Sequence, residues 1–98
     1  MFRLFLFGSA LRSTAPRDID MLVVYEKSVL SLDEAAQLRR RVANWANAAT
    51  GLTADVCLLS ADEDDQIGFS RIVGATLIYE GHGMTLDSLD AELVLIHK

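Results

Sequence analysis

The chain has 98 residues, 51% of them hydrophobic, with a formal net charge of −5 and one cysteine. That length holds one domain, taken as residues 1–98, and leaves no room for a second. The acidic balance argues against a broad basic face for phosphate backbones, so direct nucleic-acid binding is not expected.

The apolar runs are too short to span a membrane, and Arg3 and Arg12 flank the first of them. Residues 1–10 lack the basic leader of a signal peptide. The lone Cys57 has no partner for an internal disulfide and is expected as a small core residue in a reducing, cytoplasmic compartment.

Phe2 to Phe7 is an apolar run predicted as a buried strand, and Gly8 is predicted at a tight turn. Ser9 is placed to cap a very short helix reaching Arg12. Pro16 ends that segment and pushes Ala15 toward extended geometry. Residues 17–25 form the second predicted strand. Ser31 and Glu34 make a capping box, so a helix starts there and stops at Gly51. Leu38, Val42, Trp45 and Ala49 recur at helical spacing as its buried stripe, which assigns Trp45 to the core rather than to base stacking. Arg39, Arg40 and Arg41 on this helix are expected to form a solvated face.

Residues 53–59 read as a third strand. Ser60 and Glu63 form a second capping box, predicting a helix to about residue 73. Residues 75–79 read as a fourth strand, closed by Gly81, His82 and Gly83. Leu86, Leu89, Leu93 and Ile96 suit a short terminal helix, although residues 93–96 are equally apolar enough for a strand. His82 and His97 are not spaced as metal ligands and are expected to be exposed. Alternating strands and helices predict an α/β (α+β) fold, a small mixed β-sheet covered by helices.

Successive side chains on a strand point to opposite faces. Asp18 and Asp20 therefore share one face, about 6–7 Å apart by the strand rise. Two such carboxylates repel, and a divalent cation relieves the repulsion. Mg²⁺ suits the site because it needs only one or two carboxylates besides waters and substrate phosphates. Asp55 interrupts the third apolar strand, a costly position unless a cation or good donors meet it. If that strand neighbours the second, all three acids can converge on one or two metals. Gly8 lets the backbone approach a phosphate, Ser9 adds a hydroxyl at a helix N-terminus, and Arg12 follows one turn later. Each signal also has a structural reading. Gly8 and Ser9 make an ordinary strand-to-helix turn, Asp18 a turn residue paired with Arg17, and Asp55 a water-facing edge residue.

In this order, the segment from Leu6 to Val24, with Gly8-Ser9 and Asp18-Ile19-Asp20, resembles the signature of the nucleotidyltransferase superfamily related to DNA polymerase beta. Within that superfamily it resembles the minimal nucleotidyltransferases of bacteria and archaea, over residues 2 to about 81. The resemblance implies a nucleotidyltransferase fold, with phosphate binding at Gly8, Ser9 and Arg12. It makes Asp18, Asp20 and Asp55 both the catalytic residues and the metal ligands, with Mg²⁺ as cofactor and ATP or another NTP as substrate. Some such proteins are antitoxins that transfer AMP to a tyrosine of a HEPN-type toxin. The resemblance therefore implies AMPylation of a partner protein within a toxin–antitoxin system.

The chain departs from the pattern in places. The spacer between Ser9 and Asp18 is shorter than usual, and Ser13 stands where a glycine is common. The helix that precedes the first strand in the family, and an acceptor-binding domain, are not expected within these residues. A competing expectation is a degenerate, non-catalytic module that neutralises a partner by contact. In that reading the acidic run Asp62 to Asp65 faces a basic partner, and the apolar residues 93–96 dock on a partner or a second copy, a route to a homo-oligomer. Transfer to RNA or a small molecule is the third reading. Net negative charge weighs against the first of those acceptors, and the lack of a further helical domain against the second.

Overall fold

The computed structural model describes residues 2–8 and 18–81. The expected turn at Ser9 and Arg12, Ala15 to Arg17, both histidines and the terminal apolar segment lie outside the described residues. The fold is mixed α+β, with a four-stranded mixed sheet and three helices among the described residues. In chain order the elements are β1 (Phe2–Phe7), β2 (Asp18–Tyr25), α1 (Leu32–Thr50), β3 (Thr53–Ser60), α2 (Ala61–Ile67), α3 (Phe69–Ile72) and β4 (Thr76–Gly81). The sheet order is β3-β2-β1-β4. β1 runs antiparallel to β2 and to β4, and β2 runs parallel to β3. The ladder between β1 and β4 shifts register between Leu4 and Phe5.

The sheet has two apolar faces. Ile19, Met21, Val23 and Tyr25 of β2 join Phe2 and Leu4 of β1 and Ala35, Leu38, Val42 and Ala46 of α1 in the larger core. Leu22 and Val24 point the other way and pack with Phe5, against Phe7, Leu59, Ala61, Phe69 and Ala75. Burial on both faces explains why β2 reads as a continuous apolar run after its two acids. The buried stripe of α1 is Ala35, Leu38, Val42 and Ala46, one flank away from the expected one. Trp45 is half-buried against the core and Ala49 is exposed. Among the described residues the Trp45 indole N–H, which is buried, has no hydrogen-bond partner. Arg39 and Arg40 are exposed, as a solvated face requires, while Arg41 is half-buried.

Both capping boxes form. The Ser31 N–H donates to Glu34 Oε1 at 3.0 Å and the Glu34 N–H donates to Ser31 Oγ at 3.2 Å. The Ser60 N–H donates to Glu63 Oε1 at 2.9 Å and the Glu63 N–H to Ser60 Oγ at 3.2 Å. The backbone hydrogen bond from each cap serine, and then its side chain, hold Glu34 and Glu63 below the usual glutamate range. A depressed folded-state value means that this stability is complete above the unfolded pKa, near 4.5, and is lost as pH falls through the folded one. Ser60 is fully buried, so Ser60→Ala should cost about 1–2 kcal/mol at pH 7. Chemical denaturation from pH 7 down to pH 3 should also show a shallower acid loss in that variant.

The helix predicted from 61 to 73 is broken. Gly68, at φ 70, ends α2 and begins α3. The break is held by Asp64, which is only 6% exposed. Its Oδ1 accepts from the Ser70 N–H at 2.9 Å and its Oδ2 from the Ser70 hydroxyl at 2.8 Å. Asp64 therefore belongs to the fold and not to an acidic partner surface. Asp62, Glu63 and Asp65 remain exposed.

Candidate functional site

The three strand-borne acids meet on one sheet face. In β2, Asp18 and Asp20 alternate with Ile19 and continue the face of Leu22 and Val24, the face opposite α1. In β3, Ala54, Val56 and Leu58 pack against the α1-side core, whereas Leu59 packs on the other side. Asp55 has the parity of Leu59, so it shares the face of Asp20. The parallel ladder then sets the lateral match, with Asp20 directly opposite Asp55 and Asp18 opposite Thr53. Neighbouring strands lie about 4.8 Å apart, so Asp20 and Asp55 are a lateral pair and Asp18 lies one pleat away.

Their surroundings differ. Asp18 and Asp55 are exposed and Asp20 is half-buried. Among the described residues Asp55 sits on an edge strand, and its exposure removes the desolvation cost expected for an acid inside an apolar strand. Cys57, expected in the core, is exposed for the same reason: it projects from that edge strand, two residues beyond Asp55 on the same face. On the other side of Asp20, its β1 partner is Phe7. The Phe7 ring meets Phe69 edge-on, with centroids 5.5 Å apart. The acids thus lie between a water-facing edge and an aromatic wall. The lone phenylalanine before Gly8 carried no readable signal for that wall, since Phe69 joins it only through the Gly68 break.

Gly8 follows Phe7 with φ +77, and its Cα faces the Asp20 carboxylate. Gly8 and Asp20 are therefore together, as the reading of the turn requires. Ser9 and Arg12 lie outside the described residues. Among the described residues, none donates a hydrogen bond or forms an ion pair with Asp18, Asp20 or Asp55. Asp64 is the contrast: both of its oxygens are occupied by Ser70. Toward the described residues the acceptor capacity of the trio is open, and an all-oxygen set of this kind fits a hard divalent cation. Among the described residues, no three acid, cysteine or histidine side chains close into a ligand cluster as they stand. The shared face and the lateral pair of acids are what the fold supplies.

A hollow lies away from the acids, at the far end of β2. It has a volume of about 470 Å³ and is lined by Tyr25, Lys27, Leu30, Ser31, Leu32 and Glu63. It contains none of the three acids, and the serine and glutamate in it are engaged in the capping boxes. No helix among the described residues is long and apolar enough to cross a membrane. No protein-family model, curated protein or solved structure matches this chain.

Proposed function

We propose that the chain is a minimal nucleotidyltransferase of the polymerase-beta type. It moves a nucleoside monophosphate, AMP from ATP, onto a hydroxyl of a partner protein. The observation that carries this reading is the register of β2 against β3, which sets Asp20 opposite Asp55 with Asp18 on the same face. Asp18 and Asp20, with Asp55 beside them, would hold Mg²⁺. When bound, the ion neutralises charge on the phosphates and on the departing pyrophosphate.

The chain's own groups do the rest. The phosphates would lie against the turn that begins at Gly8, whose φ is +77. Ser9 and Arg12 supply further donors to them. Asp55 faces water at the sheet edge, where an acceptor from another protein has access. Its carboxylate takes the proton as the acceptor oxygen bonds to the α-phosphorus. The bond from that phosphorus to the bridging oxygen breaks, and pyrophosphate carries the electron pair away. Positioning and charge neutralisation supply the rate. The acceptor of choice is a HEPN-type toxin, with this chain as the antitoxin.

A second reading is a nucleotidyltransferase fold that has lost catalysis and restrains its partner by contact. The observation favouring it is that the three carboxylates, though on one face, do not close into a ligand cluster among the described residues. Asp55→Ala separates the two. Incubation with Mg²⁺, ATP labelled at the α-phosphate and a HEPN-type partner should label that partner. In the Asp55→Ala protein, labelling should fall by about 10²–10⁴-fold while labelled ATP is still retained. Full restraint of the partner with no label, by wild type and variant alike, selects the contact-only module.

A further inference from the structure

Left-handed backbone at Gly8, φ +77, disfavours any L side chain there. A second obstacle is particular to this position. A Cβ built on Gly8 would overlap Asp20 Oδ2, and it would lie 3.2 Å from Asp20 Cγ and 3.3 Å from its Cβ. Gly51 and Gly74 provide the contrast. Their φ values, +72 and +65, are alike, yet a Cβ on either meets nothing within 4 Å. The Asp20 carboxylate therefore fills the volume that a side chain at position 8 would take.

We infer that Gly8 is a positioning residue for Asp20: its missing side chain is the space in which the Asp20 carboxylate rests. The antiparallel register puts Phe7 opposite Asp20, so the next residue, Gly8, closes over the carboxylate. Any Cβ there forces Asp20 into another rotamer or pushes the strand end away. Either change redirects one oxygen of the pair that Asp20 forms with Asp55. Mg²⁺ demands near-ideal octahedral geometry, so a redirected carboxylate binds it poorly. This role is separate from phosphate contact, although it rests on the metal reading above.

Thermal unfolding and Mn²⁺ binding by electron paramagnetic resonance test it on the whole chain. The set is wild type, Gly8→Ala, Gly51→Ala, Asp20→Ala and Gly8→Ala/Asp20→Ala. Gly51→Ala reports left-handed strain alone and should lower Tm by about 4–8 °C. Gly8→Ala should lower it further, and truncating Asp20 in the same chain should recover that excess. Mn²⁺ affinity should fall about 10–100-fold in Gly8→Ala and stay unchanged in Gly51→Ala. If Gly8→Ala does not fold, recovery of folding in the double variant demonstrates the same contact. Additive Tm losses in the double variant would overturn the inference. So would wild-type Mn²⁺ affinity in Gly8→Ala, which leaves the carboxylate site itself standing. A wild-type chain that binds no Mn²⁺ at millimolar concentration, with the Tm coupling intact, would instead overturn the metal reading and the inference with it.

Discussion

Replacing Asp18 and Asp20 together by alanine should reduce nucleotide transfer by about three orders of magnitude and leave the fold intact. The two halves of that result have separate causes. Under the proposed function, activity is lost because both carboxylates of β2 are removed from the face they share with Asp55, so the Mg²⁺ they would hold no longer offsets the charge of the triphosphate. The fold survives because neither side chain supports it. Asp18 is exposed, Asp20 is half-buried, and no described residue donates to either. Removing two like charges on one strand face also relieves repulsion, so Tm should match wild type or rise slightly. Transfer of the α-phosphate label to the partner, beside a thermal melt, reads both halves. Transfer within tenfold of wild type would defeat the proposed site. A collapsed melt would mean that the pair is structural.

The largest stability effect is expected two residues further along the same face. Leu22 is fully buried, between Phe5 on β1 and Cys57 on β3 in the ladder. Leu22→Ala leaves a cavity in the cluster Leu22 forms with Phe5 and Val24 and should cost about 2–5 kcal/mol. A domain of this size has only about 5–15 kcal/mol in total, so that variant should unfold at much lower urea. Cys57→Ala, its lateral neighbour, should change stability by less than about 0.5 kcal/mol because Cys57 is exposed. Equilibrium urea unfolding of the two variants side by side would show the contrast. Equal losses would mean that the edge strand is covered in solution, by a partner or by a second copy of the chain.

That contrast locates the boundary of what the residues alone disclose. The strand limits of β1, the cap serines of α1 and α2 and the stop at Gly51 were legible, because capping and left-handed turns are local chemistry. Sharing of one face by Asp18 and Asp20 was legible as well, because strand alternation needs only sequence. Gly68 was a visible signal for the break between α2 and α3, but its weight came from Asp64 reaching Ser70, a contact six residues away. Cys57 was expected in the core because it joins an apolar run, and Asp55 was read either as a cation ligand or as a water-facing edge residue. They are exposed because β3 stands at the sheet edge, and edge position is set by strand order rather than by composition.

The candidate site divides in the same way. The residue types and their order are those of a cation and phosphate site on the proposed reading. Tertiary structure alone decided that β3 lies beside β2, that it runs parallel, and that its register sets Asp55 against Asp20. A shift of one residue would have turned Asp55 to the α1 side and dissolved the trio. The antiparallel register of β1 against β2 brought Gly8 over Asp20, a contact between residues twelve apart that no local pattern announces. Local backbone preferences are written residue by residue. Register and strand order are settled by which apolar faces are buried together, a property of the whole sheet.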